Sequence, residues 1–467
     1  MKILVIFKLL LLIMFSHDAK GQVEHLPIDS DRKGQVELLP IDSLYLGGIE
    51  KFYDDAEAAS KHIWPGMKLA PVCLYRVNGP AFLYNHPDPP DSFRKIGDRI
   101  YMGSQADQQL MGSTMTDING VLSAIADYGQ EGLLYRDEVY AVLFHELHHV
   151  YQQNAVRDLD SDNPATLLVY PENAENDAIK LHEQRLLYNM VFTTDNKDFR
   201  NLLNSFNSCR IEREKIIGSR FIDYEKAVEN FEGPAFYCEY LFYNYYAGGD
   251  SLHKTLYNYN HFWDILNTPF YGRNKLRMRH LASGMAMCLI LDRYHPGWKN
   301  EFYSGSTFLS DFFLSKFKAG TVELDYPGSF RAMSSYHTSR LIEEHRTNYE
   351  NFNNQAGVKI VIEFESFPQF RGFDPMNAEA INDSTVLHST LLSLGNKGNR
   401  LFFANYDAAT IDSGDIWFVK RLEFFLENVS DLQVHEAKVE VSTDGLDISW
   451  TGEIISRGND KIIIRCR

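Results

Sequence analysis

The sequence predicts an α+β protein, and three observations carry that reading. Residues 70–126 show strand-like apolar runs separated by Asn-Gly and Pro-rich breaks. From about 135 to 350 the apolar residues recur at helical spacing. From Gly357 onward they alternate with polar residues again, as in Val358, Ile360, Ile362 and Phe364. With 467 residues, the chain has room for about three domains of ~150 residues each. It is 44% hydrophobic and 13% aromatic, enough to build a sizeable core, which excludes a disordered chain or a disulfide-stapled miniprotein. A formal net charge of −17 repels phosphate backbones, so nucleic acid is not an expected partner.

The elements follow in order. Residues 1–21 read as a signal peptide: Lys2 and Lys8 are followed by the apolar run Leu9–Phe15, with Ala19 and Gly21 at a small-residue cleavage site. That run is far shorter than the ~20 residues a membrane span needs, so the expectation is an exported protein, secreted or periplasmic, with no stable membrane anchor. Residues 22–47 read as a linker; it holds a short duplication, GQVEHLPIDS at 21–30 returning as GQVELLPIDS at 34–43. Residues 48–134 form a strand-rich part opened by a helix over 48–63, with a strand and Asn-Gly turn over 115–126. Helices are expected over 136–154, 173–191, 196–216, 222–247, 276–293 and 337–349, within a helical region spanning 135–350. Residues 357–467 read as a β-rich C-terminal domain. The five cysteines are odd in number and widely spaced, so they read as buried small apolar residues rather than a disulfide or zinc-ribbon framework.

The chemistry concentrates at His145-Glu146-Leu147-His148-His149, an H-E-x-x-H on the predicted helix over 136–154. His145 and His149 are four apart, so both imidazoles project from one helix face. That spacing lets two nitrogens reach a single Zn²⁺ at ~2.0–2.1 Å. Glu146 lies between them in sequence and can accept a proton from the water that the metal activates. His148 points ~100° away from His149 and is not expected to be a ligand. The alternative is a solvated surface helix, but Phe144, Leu147 and Val150 make the segment too apolar for that. A third protein ligand is required, leaving one position open for water. The position six residues after His149 is Ala155, which excludes the metzincin arrangement. Three glutamates on predicted helices remain: Glu175, Glu183 and Glu232.

HELHH at 145–149, together with the segment Glu232-Gly233-Pro234-Ala235-Phe236-Tyr237, resembles the gluzincin (thermolysin-like) zinc metallopeptidases. The resemblance implies a zincin-like catalytic region, Zn²⁺ as cofactor, Glu146 as general base and Glu232 as third ligand, with the small residues of the E-G-x-A segment letting that helix pack close to the active-site helix. Pro234 departs from the pattern, since proline inside a helix removes a hydrogen bond and favours a kink. The long stretch between His149 and Glu232 demands an inserted helical hairpin. By the same resemblance His280, Tyr294 or His295 is a candidate for polarising a substrate carbonyl; against this, a His on an apolar helix is commonly a core residue.

The expected function is that of an exported zinc metallohydrolase acting on a peptide or protein substrate. The competing reading is a surface binding protein on an inactive zincin scaffold, with the β-rich tail and the 26 Tyr and 31 Phe as contact surface. Glu146 argues against it, because a binding scaffold has no need of a base there.

Overall fold

In the computed structural model, residues 38–467 are described apart from 109, 130–132, 134, 156–163, 249–250, 270, 273–274, 306, 375–376, 383, 397, 413–416 and 436. The signal peptide and the first copy of the duplication lie outside the described residues. The molecule is mixed α+β with a large C-terminal β-sheet. The chain divides into two compact units: residues 1–157 with 238–254, and 158–237 with 255–467.

The first unit opens with helices α1 (Pro40–Leu46) and α2 (Ile49–Ile63). The linker read over 22–47 therefore ends in a helix. Pro-Ile-Asp-Ser reads as a turn in the sequence, yet proline is well suited to a first helical position, where no N–H is needed. Asp42 fixes this helix: it is fully buried, accepts from Leu39 N at 2.7 Å and is held by Arg76 at 3.0 Å and Tyr128 Oη at 2.7 Å. Strands β1 (Val72–Tyr75), β2 (Pro80–Tyr84), β3 (Arg94–Lys95), β4 (Ile100–Ser104), β5 (Thr114–Ile118) and β6 (Val121–Asp127) form one sheet in the order β3-β4-β2-β1-β6-β5. Only β1 and β6 run parallel. The turn between β5 and β6 is Asn119-Gly120, both at positive φ, the two-residue geometry that matches strand twist. Helix α3 (Arg136–Ala155) packs along β6.

The second unit holds the inserted hairpin that the sequence demands: α4 (Ala174–Phe192) and α5 (Asn196–Ile217), joined by a short turn in which Asp195 caps the second helix. Next comes α6 (Ser219–Tyr246), whose last nine residues belong to the first unit. It continues through Pro234 as one helix. Helix α7 (Leu276–Tyr294) crosses α6 at Gly233 and Gly284, where a Cβ built on Gly233 would lie 2.5 Å from the Gly284 Cα. The close approach of the E-G-x-A segment is thus made to α7. Helices α8 (Leu309–Phe317) and α9 (Gly328–Asn353) follow. The sequence reading missed α8 and recovered only the middle of α9, because most of α9 is exposed and carries no clear apolar stripe.

The tail is a β-sandwich. Its strands are β7 (Val358–Phe364), β8 (Gln369–Phe373), β9 (Ala378–Asn382), β10 (Thr385–His388), β11 (Leu391–Asn396), β12 (Asn399–Ala404), β13 (Ala408–Asp412), β14 (Val419–Leu426), β15 (Leu432–His435), β16 (Lys438–Thr443), β17 (Leu446–Arg457) and β18 (Lys461–Cys466). The first half of β17 pairs with β12 and β16, and its second half pairs with β18. The strand passes from one layer to the other between Thr451 and Gly452, and a bulge follows between Ile454 and Ser456. One layer therefore runs β8-β11-β12-β17-β16-β15 and the other β17-β18-β7-β14-β13-β10-β9. Between them lie Leu392, Leu401, Phe403, Ile448 and Trp450 from one face and Ile360, Ile362, Leu422, Phe424 and Ile464 from the other, all at most 2% exposed. All five cysteines are buried. Among the described residues no helix is long and apolar enough to cross a membrane.

Candidate metal centre

Helix α3 starts where Glu138 Oε2 accepts from Tyr135 N at 3.1 Å, with Asp137 and Glu138 in its first turn. Both features favour a helix N-terminus, the second through the macrodipole. Val139, Leu143, Phe144 and Leu147 are fully buried, and Phe144 stacks on Phe242 at 4.6 Å. The polar residues of the same helix are buried with them: His145 7% exposed, Glu146 7%, His149 5% and Gln152 1%. Such side chains cost free energy inside a protein unless each is paired.

The pairing defines the site. His145 Nδ1 lies 2.9 Å from Glu239 Oε2, and His149 Nδ1 lies 2.8 Å from Gln152 Oε1. A carboxylate and an amide oxygen only accept, so both Nδ1 atoms donate. In neutral rings that leaves each Nε2 as a lone pair, and the two Nε2 atoms face each other at 2.9 Å. Two acceptors at this distance repel unless an electron-pair acceptor joins them: a proton that makes one ring cationic, or a metal. Tetrahedral zinc with bonds of ~2.0–2.1 Å would space the two nitrogens about 3.3 Å apart, close to the observed separation. Glu232 is the third member of the cluster. Its carboxylate and the two imidazoles each offer a ligand atom within 4.8 Å of the others. Glu232 and Glu239 are seven residues apart on α6, two turns along one face. Two neutral imidazoles and one carboxylate are a donor set suited to Zn²⁺. Among the described residues no other trio of His, Cys, Asp or Glu side chains converges in this way.

Arg277 Nη2 holds Glu232 Oε1 at 2.6 Å. Burial pushes the Arg277 guanidinium below its ordinary pKa, and the neighbouring carboxylate favours its charged form. His148 is set apart from the ligand pair: it is fully buried, with Nδ1 3.5 Å from Cys238 Sγ and its ring edge-on to Trp64 at 4.6 Å.

The other sequence candidates have different partners. Glu183 accepts from Lys180 Nζ at 3.0 Å, Arg210 Nη2 at 2.9 Å and Arg213 Nη1 at 2.9 Å, all buried. These cations hold its carboxyl below the usual range against the opposing effect of burial. Glu175 sits near the surface under Arg331, with Nε and Nη2 each at 2.8 Å, and also takes the Tyr326 hydroxyl. The Arg331 and Tyr326 hydrogen bonds bring its pKa down to about 2. His280 is a core residue of the same network as Glu183: Nδ1 is 3.1 Å from Glu229 and Nε2 is 3.7 Å from Glu225. Tyr294 packs on Phe199 at 4.7 Å and His295 on Phe317 at 4.7 Å.

Sequence reasoning missed Glu239 and Gln152. Both signals were present: Gln152 follows His149 by three residues on one helix, and Glu239 follows Glu232 by two helical turns. Comparison of the chain with protein-family models, with curated proteins and with solved structures finds no match to any of them.

Proposed function

We propose that the protein is an exported zinc-dependent peptidase of gluzincin-like design, with His145, His149 and Glu232 as metal ligands and Glu146 as general base. One observation carries the reading. Both histidines commit Nδ1 to an acceptor and turn Nε2 toward the other, where a carboxylate also converges. When bound, zinc supplies Lewis acidity, drawing charge from a peptide carbonyl and bringing the pKa of water to roughly 7. The chain's own groups do the rest. Glu239 and Gln152 fix the tautomer and ring plane of the two histidines. Arg277 pairs with Glu232 and fixes its carboxylate. Glu146, next to His145 on α3, takes the proton from the attacking water as its oxygen bonds to the carbonyl carbon. It then delivers that proton to the leaving amine as the C–N bond breaks. The leader over 1–21 supports export.

Glu146→Gln tests the assignment. The purified variant should keep about one zinc per chain and its fold, yet cleave an unstructured peptide library at neutral pH ~10²–10⁴-fold more slowly than wild type. Equal cleavage by both proteins, or no zinc in wild type, refutes the reading. Glu232→Gln should weaken zinc binding where Glu175→Gln and Glu183→Gln do not.

A further inference from the structure

We infer that the outer face of the β8-β11-β12-β17-β16-β15 layer is a binding site for a neutral oligosaccharide. The proposal is independent of the zinc reading.

Strand alternation places the apolar residues of this layer in the sandwich core and the intervening ones outward. Register then sets the outward side chains in rows across the strands. One row runs Ser393, Phe402, Asp447 and Ser442. The next runs Gly395, Arg400, Ser449, Glu440 and Gln433. From these rows Asp447, Ser442, Arg400, Ser449, Glu440 and Gln433 line a groove of about 720 Å³, within the ~300–1,000 Å³ typical of small-ligand sites. The groove is shaped by a glycine. Arg371 lies flat across Gly395, where a Cβ would come within 2.6 Å of its Nε, and Arg371 Nη2 donates to Asn396 O at 3.1 Å.

The chemistry of the lining selects the ligand. Its cations are Arg371, Arg400 and Lys438 and its acids are Asp431, Glu440 and Asp447, so the charges cancel. A polyanion meets three carboxylates and a metal ion meets three cations. Paired as Arg400–Asp447 at 2.5 Å and Lys438–Glu440 at 2.8 Å, these groups present donors and acceptors side by side. That pattern suits a ligand dense in hydroxyls, each of which both donates and accepts. An extended peptide is poorly served. The central strands have their backbone groups paired on both sides, so strand addition is open only at the β8 and β15 edges and not across the groove floor. Phe402 is 40% exposed and stands opposite Asp447 in the register, beside the groove, where it adds apolar surface for a sugar.

The test uses the full-length mature protein on an array of neutral hexose, pentose and N-acetylhexosamine oligosaccharides, with sulfated and uronate glycans as the charged arm. At least one neutral glycan should be retained, with affinity unchanged between low and high salt. Arg400→Ala and Asp447→Ala should each weaken that binding roughly tenfold or more, as loss of a hydrogen bond to a charged group does. Both positions are solvent-accessible, so the fold should tolerate either change; unaltered circular dichroism checks this. Phe402→Ala should weaken binding without altering its salt independence. Glu146→Gln should bind glycan as wild type does, which separates this site from the proposed peptidase centre. Retention of no neutral glycan at millimolar concentration, or only of charged glycans released by salt, overturns the proposal.

Discussion

Two buried polar clusters in this protein differ in how their charges are answered. The helical network of the second unit sets Lys180, Arg210 and Arg213 against Glu183, Glu225 and Glu229, with His280 between the last two. Each carboxylate there meets at least one cation. The α3 cluster sets two histidines with their acceptor nitrogens toward each other, and a carboxylate converges on the same spot. The first arrangement balances its charge, three cations against three carboxylates, although Glu225 Oε2, Glu229 Oε2 and Arg210 Nη1 are buried without a hydrogen-bond partner. The second brings two imidazoles and a carboxylate within ligand distance of one another. A glutamate is therefore read by all that faces it: Glu183 meets Lys180, Arg210 and Arg213, whereas Glu232 is held by Arg277 and also lies within ligand distance of two imidazoles.

The largest effect should come from breaking the charge-balanced network. Arg213 donates to Asn176, Glu183 and Glu225. Arg213→Ala leaves buried carboxylates facing one another, and losing one partner of such a pair costs ~3–5 kcal/mol. Urea unfolding should show that loss; a change below about 1 kcal/mol, the size typical of exposed ion pairs, would mean the network is solvated. Next in size is metal removal. Free zinc at about a hundred times its Kd stabilises the fold by ~2.7 kcal/mol, so a chelator should lower the Tm of wild type and leave that of His149→Ala unmoved. Equal responses would erase the distinction between the clusters. Glu239→Leu removes the acceptor of His145 Nδ1 without touching a ligand, and a change of this kind weakens metal binding ~10–100-fold, measurable by competition with a chromophoric chelator. Unaltered affinity would show that the His145 ring is oriented by packing alone.

The smallest effect belongs to Glu175, a partnered glutamate at the surface. Its Arg331 pair is largely exposed, so Glu175→Gln should cost at most about 1 kcal/mol. Because Arg331 and Tyr326 hold its pKa at about 2, against an ordinary value of 4.5, the folded state binds the proton less readily than the unfolded one. Its contribution is full above the ordinary value and lost as pH falls through about 2. Stability curves of wild type and variant should therefore run apart near neutral pH and converge over that acid window. A gap that widens toward low pH would contradict the pairing.

Much of this was legible in local sequence. The H-E-x-x-H spacing and its apolar neighbours specify α3, the Asn119-Gly120 turn specifies its hairpin, and strict alternation over Val358–Phe364 specifies β7. What was not legible is partner choice across the chain. Glu175, Glu183 and Glu232 look alike as glutamates on helices; only folding puts Arg210 and Arg213 against one, Arg331 against another, and two imidazoles near the third. Helix α6 was legible despite Pro234, whereas the helix at Pro40 was not, because a proline that opens a helix and one that opens a turn look the same until Asp42 finds Arg76.

Strand β18 sits in the middle of its layer, between β17 and β7, with Lys461 opposite Lys359 in parallel register. Its place stays empty until Lys461–Cys466 has been synthesised. Until then β7 exposes a ladder edge of the kind that recruits other chains, and closing it joins segments far apart in sequence, which is slow. The open edge of β7 is thus where the unfinished tail can pair with other chains. Deleting Lys461–Cys466 should destabilise the sandwich as a whole rather than merely fray an end.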